Sequence, residues 1–315
     1  MRYVSFLFVL AVLVLGGCWL YPSHSAKDGS LKAYKAAIRD GHARIVFLGD
    51  SIEEGTSQIV YSQSWVKLIS ADLRKISPGI EIYNLSLPGR GIGNAIDSKY
   101  KAVPYVGFSK TDYAEVGFAR PKATDNSDVW PYGTILGETW IDHVKSLSPD
   151  LVVIGFGMND IGGSVLDIKT LTEKLISELS SSSKSPSIAL VTPILPTTTV
   201  EPYSKLQENV ERTAEAYTDI AKETGATLID ANRRYIILRD GVDIRSKKNS
   251  SLNFVSYPSG YAKEYEPKYT ELQLLGPGEG GGNGINHPTA IGHKEVYAAE
   301  AKVLVDATDQ SLNRK

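Results

Sequence analysis

Five short, β-rich apolar runs recur along the chain and alternate with longer helix-like stretches. Arg44–Asp50, Glu81–Leu85, Leu151–Gly157, Ser187–Thr192 and Thr227–Asp230 read as strands. Leu151–Gly157 is apolar throughout, as expected of a strand covered on both faces. Between the strands, Tyr61–Ile76 brings Trp65, Leu68, Ile69 and Leu73 onto one helical face, and Pro78-Gly79 ends it. Asp167–Ser180, Tyr203–Thr224 (stopped by Gly225) and Ala290–Asp306 read as further helices. Strand–helix alternation predicts an α/β fold with a parallel sheet between two helical layers. In such sheets, sites form beyond the carboxyl ends of the strands.

Two stretches break the rhythm. About 92–140 is rich in aromatics (Tyr100, Tyr105, Phe108, Tyr113, Phe118, Trp130, Tyr132, Trp140). About 245–284 is polar, carries Tyr257, Tyr261, Tyr265 and Tyr269, and ends in a glycine cluster. Both read as loop insertions in one domain, because no repeat or linker divides the chain and long loops in compact domains tend to be functional or disordered. The aromatics suit either sugar stacking or a small satellite core. Tyr257–Glu266 has the length and composition of a lid, and Arg90 and Arg120 are either anion contacts or surface charges.

The N-terminus has its own logic. Met1-Arg2 precedes an apolar run from Tyr3 to Leu15, the form of a secretory signal. The sequence Leu15-Gly16-Gly17-Cys18 resembles the bacterial lipoprotein signal. That resemblance implies removal of 1–17, acylation of Cys18, a tether over 18–35, a domain over 36–315, and a lipid-anchored envelope protein facing outside the cytoplasm. The alternative is an uncleaved anchor from Tyr3 to Tyr21, just long enough to span a bilayer.

With 42% hydrophobic and 22% charged residues among 315, the composition is that of a globular protein rather than a disordered or fibrous one. A net charge of −2 gives no global bias toward nucleic acid. A single cysteine excludes an intramolecular disulfide and a multi-cysteine zinc site, and five scattered histidines give no metal-ligand pattern.

The candidate chemistry sits just after the strands. Gly49-Asp50-Ser51 follows the first, Asn84-Leu-Ser86-Leu-Pro-Gly89 the second, and Gly157-Met-Asn159-Asp160 the third. Asn286-His287-Pro288 precedes the last helix. A serine hydroxyl needs a base to become a nucleophile, and His287 is a candidate. Ester hydrolysis needs donors aimed at a tetrahedral oxyanion, which the amides of Ser51 and a glycine and the side chain of Asn159 suit. Gly89 fits the spacing from Asn84 better than Gly91. Asp160 reads as a loop-fixing residue and His293 as structural, while His143 and His42 have no partner pattern.

Together these four motifs, in this order over roughly Arg44–Val305, resemble the SGNH (GDSL-like) hydrolases. The resemblance implies a three-layer, flavodoxin-like fold and serine esterase chemistry without cofactors or metals. Ser51 would be the nucleophile, His287 the base, and Ser51, Gly89 and Asn159 the oxyanion donors. The turn is not the G-x-S-x-G elbow of other hydrolases. The expected substrate is an acylated small molecule or polysaccharide, with O-acetyl groups favoured. A sugar O-acetyltransferase, a lipase or thioesterase, and a non-catalytic carbohydrate-binding lipoprotein are the alternatives.

One departure stands out. The family places an aspartate three residues before the histidine, and here that position is Gly284, preceded by Asn283. Three readings follow: a Ser–His dyad with the ring held by a backbone carbonyl, another acid such as Glu279 or a distant Asp folded in, or an inactive protein.

Overall fold

The computed structural model describes residues 31–55, 59, 61–97, 139–252, 259–277 and 281–313. Five parallel strands form one sheet: β1 (Ala43–Gly49), β2 (Ile80–Asn84), β3 (Leu151–Gly155), β4 (Ser187–Val191) and β5 (Thr227–Ile229). Their order is β2-β1-β3-β4-β5, the flavodoxin-like doubly wound arrangement.

Alternation along each strand builds two cores. Ile45 and Phe47 of β1, Leu151 and Val153 of β3, and Ala189 and Val191 of β4 face one layer. That layer includes the helices Lys32–Arg39, Trp65–Ile76 and Ala299–Asn313. Val46 and Leu48, Val152 and Ile154, and Ile188 and Leu190 face the other. There the helices Ile92–Ile96, Trp140–Ser146, Val165–Ser180 and Gln207–Thr224 cover the sheet.

Several boundaries differ from the sequence reading. A helix starts at Lys32 and both Leu31 and Tyr34 are buried in the core, so 31–35 belong to the folded domain where the sequence reading had a tether over 18–35. Tyr34 donates or accepts across 2.6 Å with Thr308 of the C-terminal helix, which fixes this segment to the domain. Helix Ala231–Asp240 follows β5 directly; its apolar residues cluster on a buried side, but their pattern is short and broken by Asn232, Arg233 and Arg234. The first insertion begins and ends in structure: Ile92 and Ala95 at one end and Trp140 at the other are core residues. The last helix has a π turn at His293–Ala298 between Ala290–Gly292 and Ala299–Asn313.

The second insertion is largely packed down. Asn249 is buried and donates to the Asp243 carbonyl at 2.9 Å, while its Oδ1 accepts the Ala262 N–H at 2.8 Å. Tyr261 joins the core, and the Glu264 and Tyr265 amides donate to the Gly241 carbonyl. The described part of the lid-like segment, 259–266, is therefore held against helix Ala231–Asp240. Cys18, Arg120, Tyr257, Glu279 and the aromatics from Tyr100 to Tyr132 lie outside the described residues.

Candidate active site

The site begins with the turn that ends β1. Asp50 caps the short helix Ser51–Glu54: its Oδ1 accepts the Ile52 N–H at 2.9 Å, and Glu53 Oε2 accepts the Asp50 N–H at 3.3 Å. This capping box satisfies amides that the helix cannot, and it presents Ser51 at the helix start. Glu53 lies beneath the turn, 3% exposed, against Gly49 and Gly155. A Cβ on Gly155 would come within 2.7 Å of Glu53 Cγ, and one on Gly49 would meet the same atom at 2.7 Å. Burial, and for Glu53 also the neighbouring Asp50, pushes both carboxyls above their ordinary range. The Glu53 side chain fills the space beneath the turn.

The loop after β2 continues along β1. The Leu85 and Leu87 amides donate to the carbonyls of Phe47 and Gly49, at 2.8 and 3.0 Å. Asn84 donates to the Glu53 carbonyl at 2.8 Å and accepts the Ser86 N–H, tying this loop to the helix that bears Ser51. Gly89 has φ +68°, a left-handed conformation suited to glycine, and a Cβ there would meet nothing within 4 Å. Gly91 is different. Its N–H donates to Asn94 Oδ1 at 3.0 Å, and its Cα faces the Asp160 carboxylate. Asp160 accepts the Ile92 N–H at 3.2 Å with each oxygen, clamping the β2 and β3 loops together. Asn159 is exposed, and its Nδ2 donates to the Arg90 carbonyl at 3.1 Å.

The histidine loop closes the site from the far end of the chain. Ser51 Oγ lies 2.7 Å from His287 Nε2, a contact spanning 236 positions. The loop is held by a Thr197 N–H bond to the Ile285 carbonyl at 2.6 Å. The Gly284 and Thr289 amides donate to the Leu275 and Leu274 carbonyls, at 2.7 and 2.8 Å. Helix Glu271–Leu275 of the second insertion is thus its brace. Burial lowers His287 to a pKa of about 4, so the ring is neutral at physiological pH.

Behind the ring stand two amides. His287 Nδ1 is 2.9 Å from Asn286 Oδ1 and 2.7 Å from Asn283 Nδ2. Asn283 Oδ1 accepts the backbone N–H groups of Ile285, Asn286 and His287 at 2.9–3.0 Å, and its Nδ2 donates to Asn286 Oδ1 at 2.8 Å. Asn283 and Asn286 were not singled out as site residues by their sequence. The available signal was an asparagine before a glycine, which favours a turn bonded back to its own backbone.

His293 takes no part. Its Nδ1 accepts the Trp65 N–H at 3.3 Å, capping helix Trp65–Ile76, and its ring lies 6.1 Å from that of Tyr297. Among the described residues, no group of three or more His, Cys, Asp or Glu side chains is arranged to hold a metal.

The family model described as GDSL-like lipase/acylhydrolase matches residues 45–299. No curated protein matches the chain. Among solved structures, it aligns with LAE5, an alpha/beta hydrolase enzyme from the metagenome of Lake Arreo, Spain, at 16% identity and a TM-score of 0.47, covering 86% of this chain and 96% of that one. It aligns with an acetylxylan esterase from Geobacillus stearothermophilus at 15% identity and a TM-score of 0.42, covering 86% and 94%.

Proposed function

Because the chain belongs to the GDSL-like lipase/acylhydrolase family, a family of ester-bond hydrolases, we propose that it is a serine esterase acting through an acyl-enzyme on Ser51. The observation that carries this reading is the 2.7 Å contact between Ser51 Oγ and His287 Nε2. With the proton on Nδ1, Nε2 accepts the serine proton as Oγ attacks the acyl carbon. The oxyanion forms beside the Ser51 amide, with the Gly89 amide and Asn159 Nδ2 as further donors. The imidazolium then returns its proton to the departing alcohol, leaving an ester on Ser51. Water, deprotonated by His287, attacks that ester, and collapse releases the acid and restores the serine.

Two details support the assignment of donors. Gly91 already spends its amide on Asn94, whereas Gly89 stands exposed on the loop that tracks β1. Asn159 is exposed on the neighbouring strand end and keeps its second amide hydrogen for another acceptor.

We place the substrate among small acyl esters, O-acetyl groups on a saccharide first. The aromatic residues between Ile92 and Trp140 support this, because their flat apolar faces suit sugar rings. A chain-length series of p-nitrophenyl esters tests the reading. Acetyl ester should turn over fastest, and Ser51→Ala should lose at least about 10³-fold in kcat. A maximum at long acyl chains would replace the acetylesterase with a lipase. Turnover unchanged in Ser51→Ala would remove the nucleophile.

A further inference from the structure

A histidine that serves as base must carry its remaining proton on Nδ1, so that Nε2 is free to accept from serine. In an acid-supported triad a carboxylate enforces this and also stabilises the imidazolium. No carboxylate is bonded to His287 Nδ1 among the described residues; both atoms bonded to it belong to asparagines. The two amides favour opposite tautomers. Asn286 Oδ1 accepts only, and therefore favours the proton on Nδ1. Asn283 Nδ2 donates only, and therefore favours a bare Nδ1 with the proton on Nε2. Neither amide is free to turn over. Asn283 Oδ1 is committed to three backbone amides, which forces its Nδ2 toward the ring, and that Nδ2 also holds Asn286 Oδ1 in place.

We propose that Asn286 and Asn283 are a neutral positioning pair that replaces the acid: Asn286 sets the productive tautomer of His287, and Asn283 holds Asn286 and the loop. The pair orients the base without adding charge to it. This rests on the esterase reading above. It has a consequence peculiar to this geometry. The Asn283 side chain already sits 2.7 Å from Nδ1 on a loop pinned by its other atom. An aspartate there keeps the three backbone bonds with one oxygen and accepts Nδ1–H with the other. Asn286 then turns its amide to donate to the new carboxylate, and a complete Ser–His–Asp triad results from one substitution.

The experiment combines kinetics with 15N NMR of His287 in wild type, Asn283→Asp and Asn286→Ala, with Asn286→Asp as a second route to a carboxylate. Circular dichroism checks that each variant is folded. Asn283→Asp should raise kcat by about tenfold or more, since an amide in place of a triad acid costs about 10⁴-fold in serine proteases. It should also raise the His287 titration midpoint and the acid limb of kcat/KM together by at least about one pH unit. Asn286→Ala should lower kcat more than tenfold (about) with little change in KM, and shift the 15N signals toward the Nε2–H tautomer. If both carboxylate variants fold and leave the titration and the acid limb where they are in wild type, or if Asn286→Ala keeps the wild-type tautomer, the pair does not position the ring. The NMR arm is independent of turnover. A wild type inert on every ester whose His287 still responds to Asn283→Asp would overturn the esterase reading and leave the positioning pair standing.

Discussion

At the scale of single residues, the site is built on protonation. Burial of the imidazole disfavours its charged form and draws His287 down from 6.5 to about 4. In the proposed mechanism the neutral ring is the base, so a lowered pKa extends activity to lower pH. The acid limb of kcat/KM should therefore be centred near pH 4, with little loss between pH 8 and 6. A limb centred near pH 6.5 would mean that the ring is solvated in the free enzyme. Ser51, His287, Gly89 and Asn159 were legible as candidates because each lies in a short motif after a strand or before a helix. The fold brings Ser51 and His287 within hydrogen-bond distance, lets Asp160 join two loops, and places His293 at the start of helix Trp65–Ile76. To the three readings of the missing acid the structure adds a fourth arrangement, in which two side-chain amides face Nδ1. Those amides were hidden because an asparagine in a glycine-rich stretch looks like any turn residue until the loop is closed.

At the scale of elements, Ser51, Gly89 and Asn159 sit just beyond the ends of β1, β2 and β3, and His287 comes from the loop before the last helix. β1 lies between β2 and β3, which brings the Ser51 turn between the loops of Gly89 and Asn159. The fit beneath that turn is tight. Gly155 on β3 and Gly49 on β1 leave room for the buried Glu53 carboxyl, and neither glycine is there for its φ. Gly155→Ala should push Glu53 and the Asp50–Ser51 turn outward. The expected cost is about 1–3 kcal/mol of stability by overpacking, with a drop in kcat that exceeds the change in KM. Urea unfolding and steady-state kinetics on the same preparation measure both; an unchanged midpoint would mean that Glu53 has another place to go. The second insertion read as a polar loop because its helix, Glu271–Leu275, is only five residues long and its buried residues are scattered. Its function in the fold is to brace the histidine loop, which local periodicity does not report.

At the scale of the whole molecule, two apolar layers enclose the sheet, and buried polar groups within them carry a desolvation cost. Glu211, on helix Gln207–Thr224, is fully buried, and neither carboxylate oxygen has a hydrogen-bond partner among the described residues. Burial pushes it up to about 8, against the pull of Arg245 and Arg239. The folded state therefore holds a proton that the unfolded chain releases above about pH 4.5. The sign follows: stability associated with this proton is complete below that pH and is lost as the pH rises toward 8. Glu211→Gln keeps the shape and removes the titration. Relative to this variant, wild type should lose a few kcal/mol of unfolding free energy between pH 5 and pH 8. Parallel stability curves in urea would show that Glu211 finds a partner when ionised.

The order of the five strands and of the helices Trp65–Ile76, Val165–Ser180 and Gln207–Thr224, the alternation that makes two cores, and the four short motifs were determined by the sequence alone. Hydrophobic periodicity is local, and a parallel α/β chain repeats it at every unit. What the tertiary structure decided depends on contacts across long chain separations. Leu31 and Tyr34 joined the domain rather than the tether because the C-terminal helix covers them. Glu53 became a buried packing group because two glycines on adjacent strands make room for it. Asn283 and Asn286 came to face a histidine because the 281–289 loop is fastened to Thr197, Leu274 and Leu275, residues whose positions only the closed fold brings together.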